Sequence, residues 1–400
     1  MGILQKAAKL LFVCIHLILL SGCWDRKEVN DLALIVGLGI DQTKDGKIML
    51  TAEIIVPKAV GGGGQMIGGG DSGGGGGAET IIRSGTGATV ADAISNLQEK
   101  LPRRIFWGHT EMIVFGEKAA KAGIRQHLDF LGRNPQARLR ANVLVSKGTA
   151  KSVLELSPLI EQSSAEVLRE LSESQLLLRV TAKDALQMLS GDAGAAALPM
   201  VKILPPEKGK QELQTIAFIQ RTAIFKKDKM VGDINDKLTR GVLWLRDEVK
   251  QANITVTLKG EKGKITAMLI RAHTELIPKY EKGKWKMIVK ATAEDDIILN
   301  GTKLNLMNPK YTKMIEKELA KETDKRIRAA LKKVQKEMKA DIFGFAEVFH
   351  RKYPREWNRV KDRWEEIFPD VEVVVKTKAY VRRPGIGTTP QGLPEQEVKQ

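Results

Sequence analysis

The sequence predicts a multi-domain α+β protein, with a mixed strand/helix N-terminal part and a C-terminal domain of antiparallel strands with two long helices. Three observations support this. Four hundred residues, 42% of them apolar, exceed one typical core and point to two or three domains. The first half interleaves strand-like and helix-like runs. The second half groups its strands, then two helices, then a single strand.

In the first half, Leu32 to Ile40 is nearly continuously apolar and reads as a buried strand. Ile48 to Val56 is a second strand after the Asp45-Gly46 turn, closed by Pro57. Residues 61 to 77 hold twelve glycines, and a run with so little to bury is expected to be a disordered loop. Glu79 to Ser84 is a short strand. Thr89 to Leu101 places Val90, Ile94, Leu97 and Leu101 at helical spacing. Glu111 to Phe115 is a strand, Glu117 to Leu131 a helix, and Arg138 to Val145 a strand. The helix-rich stretch from Thr149 to Leu189 ends in a Gly/Ala/Pro region, Gly191 to Ala197 and then Pro205 to Gly209, which is the candidate domain boundary.

The second half opens with a hairpin, Leu213 to Phe225 and Lys229 to Val231, around Lys226-Lys227-Asp228. A helix from Ile234 to Val249 follows. Asn253 to Leu258, Lys264 to Leu276 and Trp285 to Ala291 are strands joined by Lys-Gly turns. Lys310 to Ile342 reads as one long helix with Ile315, Leu319, Ile327, Leu331, Val334, Met338 and Ile342 in one stripe. Phe343 to Phe368 reads as a second helix bent at Pro354. It carries Trp357 and Trp364 seven residues apart, expected to share one face and pack as core against the long helix. Val371 to Val381 alternates as a closing strand. The expected organisation is a signal peptide over 1–22, an N-terminal α/β-type domain over 23–200 with a candidate further division near 148, a linker over 201–214, a C-terminal α+β domain over 215–383 and a disordered tail over 384–400.

The start of the chain places it outside the cytoplasm. Lys6 and Lys9 precede an apolar run from Leu10 to Leu20. Eleven residues are too few to span a bilayer, which needs about 20 as a helix, and the pattern is that of a secretory signal. Leu20-Ser21-Gly22-Cys23 resembles the bacterial lipobox, which makes Cys23 the expected lipidation site. The two cysteines are Cys14 and Cys23. Loss of the first and alkylation of the second would leave no disulfide, no thiol redox pair and no Cys-based zinc site. Two acyl chains would make the anchoring stable where one would be marginal. Net charge is +17, or +15 without Lys6 and Lys9, a surplus that suits an anionic membrane face. No nucleic-acid-binding signature accompanies it, so no nucleic acid partner is expected.

A search for catalytic chemistry returns little. Beyond the signal lie His109, His127, His273 and His350, none in metal-ligand spacing with another. His109-Thr110-Glu111 is the best candidate for a polar cluster, and a satisfied structural histidine is the commoner reading of it. The adjacent acids Glu294-Asp295-Asp296 alternate across a strand, so they do not form a carboxylate pair. Gly37-Leu38-Gly39 lies inside a strand rather than at a strand-to-helix turn, and no phosphate loop is present. No catalytic, metal-binding or cofactor-binding residue is assigned, and the only bound group expected is the covalent diacylglycerol on Cys23.

The motifs resemble the Ger(x)C family of spore germination lipoproteins. The resemblance rests first on Cys23-Trp24-Asp25, Val29, Asp31-Leu32-Ala33 and Val36-Gly37-Leu38-Gly39-Ile40-Asp41. It extends through Gly108-His109-Thr110-Glu111, Gly116-Glu117-Lys118-Ala119, Ala223-Ile224-Phe225, Asp228 to Gly232, Thr239-Arg240-Gly241, Phe343 to Glu347, Trp357, Trp364 and Phe368-Pro369. The glycine-rich insertion and Ala346, where the family usually has Gly, depart from the pattern. The resemblance implies a non-enzymatic C subunit of a nutrient germinant receptor, anchored by lipid at the outer face of the spore inner membrane. Its implied partners are two integral membrane subunits, with other germination lipoproteins as further candidates. The competing reading is a solute-binding lipoprotein of a membrane transporter, which would share the lipobox but is expected to show two α/β lobes. A wall-modifying hydrolase would need a carboxylate or histidine constellation that the sequence does not supply.

Overall fold

A computed structural model describes residues 31–56, 79–384 and 394–399, with residues 2 and 5–7 near the start. The expected signal, Cys23 and the glycine tract 61–77 lie outside the described residues. The structure is mixed α+β and built on two sheets, as the sequence predicts. Among the described residues, no helix is long and apolar enough to cross a membrane.

The first sheet starts with β1 (Leu32–Gln42), β2 (Ile48–Val56) and β3 (Glu79–Gly87), an antiparallel set in which β2 and β3 pair as far as Val56 and Glu79. After α1 (Val90–Gln98), β4 (Arg104–Phe106) and β5 (Met112–Gly116) both lie parallel to β1. Thr89 caps α1 and exchanges hydrogen bonds with Asp92, a reciprocal start that fixes the helix where the periodicity begins. The helix expected over Glu117 to Leu131 is two: α2 (Glu117–Ala122) and α3 (Arg125–Arg133). Gly123, at φ 134°, breaks it, because the Asp228 turn packs there and its carbonyl accepts from Ile124 N.

β6 (Asn142–Ser146) begins later than predicted, after a turn at 138–141. Next come α4 (Ala150–Leu154), α5 (Ser164–Glu173), α6 (Ala182–Ser190) and β7 (Ala195–Ile203). The expected boundary is largely a paired strand. Only Gly191 to Gly194 turn, whereas Ala195 to Val201 are buried in a strand parallel to β6 and antiparallel to β8 (Ala217–Lys226). The alanines that read as linker composition are there because the strand is covered on both faces. Of the predicted linker 201–214, residues 201–203 belong to β7 and the rest is irregular. With β9 (Lys229–Asn235) the order is β3-β2-β1-β5-β6-β7-β8-β9, and β4 pairs beside β1. One sheet thus runs from the N-terminal half into the C-terminal half.

Side chains alternate between the two faces of this sheet. Ile113, Phe115, Val143 and Val145 enter the main core with Leu97, Ile124 and Leu128, while Met112, Val114 and Leu144 pack under Leu154, Ala165 and Leu168.

The second sheet has the order β10-β11-β12-β13. It is reached through α7 (Asp236–Leu245), which is shorter than the predicted Ile234 to Val249 because Asn235 ends β9 and caps the helix. β10 (Asn253–Val256), β11 (Ile265–Glu281) and β12 (Lys284–Asn300) are antiparallel, and Lys282 and Gly283 turn the long hairpin with positive φ. The closing β13 (Glu372–Arg383) is parallel to β12, so the domain is not purely antiparallel. α8 (Pro309–Ala330) is the long helix, started by Asn308 and Pro309. It continues as a π-helical stretch, Leu331–Met338, and stops four residues before the predicted end, with Lys339 capping it in a left-handed conformation.

The second long helix is not continuous. It is α9 (Phe345–Lys352), α10 (Pro354–Trp357) and α11 (Trp364–Ile367), broken at Tyr353 and by a 3₁₀ turn at Lys361–Arg363. Trp357 and Trp364 are fully buried, as expected for core, but they sit on separate short helices and face each other at 5.0 Å. Their environment is aromatic, with Phe349 5.7 Å and Trp285 6.5 Å from Trp364. The tail expected to be disordered from 384 onward is tied down at its end. Lys399 bridges to Leu304, and Val398 is buried.

Candidate functional site

Three carboxylates from distant parts of the chain are buried against helix starts. Asp41, at the end of β1, accepts from the amides of Ala150 at 2.8 Å and Lys151 at 2.9 Å, opening α4. Glu53, on β2, accepts from Ser164 N at 3.1 Å and Ala165 N at 2.9 Å, opening α5. Asp341 accepts from Phe345 N at 3.2 Å and Ala346 N at 2.8 Å, opening α9, and from Trp364 Nε1 at 3.0 Å. A helix start presents unpaired amides and a positive dipole end, so each acid satisfies donors that burial would otherwise orphan. Burial pushes Glu53 up to about 7 against the pull of those hydrogen bonds. It likewise raises Asp341 to about 6, with the neighbouring Glu347 adding to the rise.

The glycines of the motifs make room for these contacts. A Cβ on Gly116 would lie 1.9 Å from Asp41 Oδ1, and one on Gly37 would lie 3.0 Å from both Glu53 Oε2 and Leu154. The runs Val36 to Asp41, Gly116 to Ala119 and Phe343 to Glu347 are therefore positioning devices. Sequence reasoning quoted Asp41 within a motif but missed Glu53 and Asp341, because their partners lie about 110 residues away or in a segment read as helix.

The four histidines do not converge. His109 is exposed, 5.9 Å from the Phe106 ring, and lines a polar cleft of about 220 Å³ with Glu111, Glu166 and Arg169. Arg169 there meets Glu111 at 3.1 Å and Glu170 at 2.6 Å. His127 is buried beside Phe115 with Nδ1 unpaired among the described residues, and burial lowers its pKa. His273 pairs with Asp247 at 3.1 Å. His350 pairs with Asp192 at 2.6 Å and stacks on Trp357 at 5.8 Å. Among the described residues, no group of three or more His, Cys, Asp or Glu is placed to hold a metal ion.

The His350–Asp192 contact bridges the turn before β7 and the C-terminal helices. Two clefts of about 160 and 320 Å³ flank it, both lined by Ala193, Ala195 and Asp341. The smaller is ringed by lysines, including Lys226 and Lys361, and Lys226 is ion-paired with Glu365. Of the predicted acids, Glu294 is held by Arg382 at 2.8 Å, whereas Asp295 is fully buried on the opposite side of the strand.

These features define an α+β protein whose buried acids start its own helices. Family models identify it further. The N-terminal domain of spore germination proteins matches residues 25–203, and the spore germination B3/GerAC-like C-terminal domain matches residues 220–385. The chain belongs to this family of spore germination proteins, as its motifs predict. It is 29% identical to spore germination protein KC of Bacillus subtilis over 96% of this chain and 98% of that one. It is 31% identical to the putative spore germination protein YfkR of the same organism, over 96% and 97%. The crystal structure of the GerBC protein matches its fold with a TM-score of 0.54 at 21% identity, covering 89% of this chain and all of the other.

Proposed function

We propose that the chain is a lipid-anchored, non-enzymatic C subunit of a spore nutrient germinant receptor. In this reading it acts by protein–protein contact with two integral membrane subunits to trigger germination, at the outer face of the spore inner membrane. The observation that carries the reading is family membership over residues 25–203 and 220–385 in a chain that carries Leu20-Ser21-Gly22-Cys23 just before them. A scaffold role accords with the buried acids, because Asp41, Glu53 and Asp341 already serve backbone amides. Co-purification of the full-length protein from membranes tests the partner assignment, and recovery without integral membrane subunits would refute it. Cys23→Ala should abolish lipid addition and normal processing together. An unchanged mass of the processed protein would remove the anchor from the proposal.

A solute-binding lipoprotein is the alternative, and the topology argues against it. Such proteins close two lobes around a ligand, whereas here the halves share a single sheet through β7 and β8. Calorimetry with pooled nutrients separates the two readings, since a micromolar small-molecule site would favour the alternative.

A further inference from the structure

The second sheet is covered by α8 on one face and open on the other. On the open face Met268, Ile270, Ile298 and Leu299 are each about half exposed, in one corner of β11 and β12. Two β-bulges add Ile270 and Ile298 to this corner. Ile270 falls between the paired residues Leu269 and Arg271, and Ile298 between Ile297 and Leu299, so neither has a cross-strand partner. Bulges re-aim side chains and are commonly retained for function. The core does not need these residues, because Ala267, Leu269 and Ile297 already fill the covered face.

The surroundings of this corner are cationic. Arg271 and Tyr380 flank Glu294 across the strands, and Tyr380 is 45% exposed. The two acids beside the patch are neutralised, Glu294 by Arg382 at 2.8 Å and Asp296 by Arg383 at 4.0 Å. Further along the same face lie Lys376 and Lys378, both exposed, beside Lys290, which pairs with Glu275 at 3.1 Å. Aliphatic side chains with an aromatic at their edge and a field of Lys/Arg match the chemistry of a bilayer interface. Protein interfaces, by contrast, are depleted in lysine.

We propose that this open face rests on an anionic lipid surface, with the four aliphatic side chains entering the headgroup region and the cations lying over lipid phosphates. The proposal deepens the membrane-side reading above and gives the tethered domain a fixed orientation. A chain starting at residue 24, which keeps every strand and helix from β1 onward and cannot be lipidated, is mixed with vesicles of about one-third phosphatidylglycerol. Binding is expected at low salt, to be absent with neutral phosphatidylcholine, and to be lost as salt screens the charges. Ile270→Ser with Ile298→Ser should weaken binding about tenfold while leaving the melting temperature unchanged, and Lys376→Glu with Lys378→Glu should do the same. Absence of binding, equal binding to neutral vesicles, or variants that bind like the parent would overturn the proposal. So would a photo-crosslinker at Ile270 that captures a protein subunit rather than lipid in native membranes. Because the vesicle assay uses a chain without Cys23, its failure stays separate from any failure of the lipid-anchor assignment.

Discussion

Asp295 stands mid-strand in β12 with both carboxylate oxygens buried and unpaired among the described residues. Burial, with Asp296 adding to it, raises its pKa from 3.8 to about 7. The folded protein therefore holds this proton to about pH 7, while the unfolded chain releases it near pH 4. Across that window the folded state binds more protons, so stability is full below about pH 4 and falls as pH rises through 7. Glu53 and Asp341 act with the same sign. Asp295→Asn should leave stability near pH 4 little changed and raise it at pH 8 by roughly 2–4 kcal/mol. Denaturant titrations of both proteins at the two pH values check this, and a variant less stable at pH 8 would show that the carboxylate has an unseen partner. At this scale the sequence was half legible. Strand alternation placed Glu294 and Asp295 on opposite faces, but nothing local revealed that the buried one lacks a hydrogen bond.

At the scale of elements, the regular periodicities survived and the interruptions did not. The stripe of α8 and the cores of the hairpin strands follow from apolar spacing, but β11 and β12 run on to Glu281 and Asn300, past the predicted ends at Leu276 and Ala291. The breaks at Gly123 and Lys339, and the division of the predicted second helix, come from tertiary partners such as Asp228 and Asp341 that no local window contains. Thr239-Arg240-Gly241 has a physical cause in the crossing of α7 over α8. A Cβ on Gly241 would lie 2.3 Å from Arg326 O and 2.7 Å from Ala330 Cβ. Gly241→Ala gains about 1 kcal/mol in helix propensity but overlaps a backbone carbonyl that cannot rotate away. A net loss of roughly 1–3 kcal/mol is expected. A stabilised variant in urea titration would mean that the helices can separate at no cost. The glycine tract invites the opposite test. β2 and β3 pair as far as Val56 and Glu79, so a short Gly-Ser turn in place of 61–77 can close the hairpin. Stability should be unchanged or raised by less than about 1 kcal/mol, and a large fall in melting temperature would show that the tract packs.

For the whole molecule, composition suggested a boundary between 191 and 214, and the family models divide nearby, between 203 and 220. The physical structure does not part there. β7 and β8 pair along their lengths, from Ala195 with Lys226 to Ile203 with Ala217. One apolar cluster includes Leu198 and Phe225 of the first sheet, Trp244 of α7 and Ile327 of α8. Sequence reading missed this because small residues and prolines mark a linker and a tightly covered strand alike. Cutting the chain near 210 would leave β7 an open, largely apolar edge in one piece and β8 in the other, a template for aggregation. The halves expressed separately are therefore expected to be insoluble or unfolded, while co-expression restores a soluble complex. Calorimetry of the chain from residue 24 should show one cooperative transition, with the calorimetric enthalpy equal to the van't Hoff enthalpy. Two separated transitions, or a first half that stays folded alone, would instead make the two family domains independent units joined by a pairing of little energetic weight.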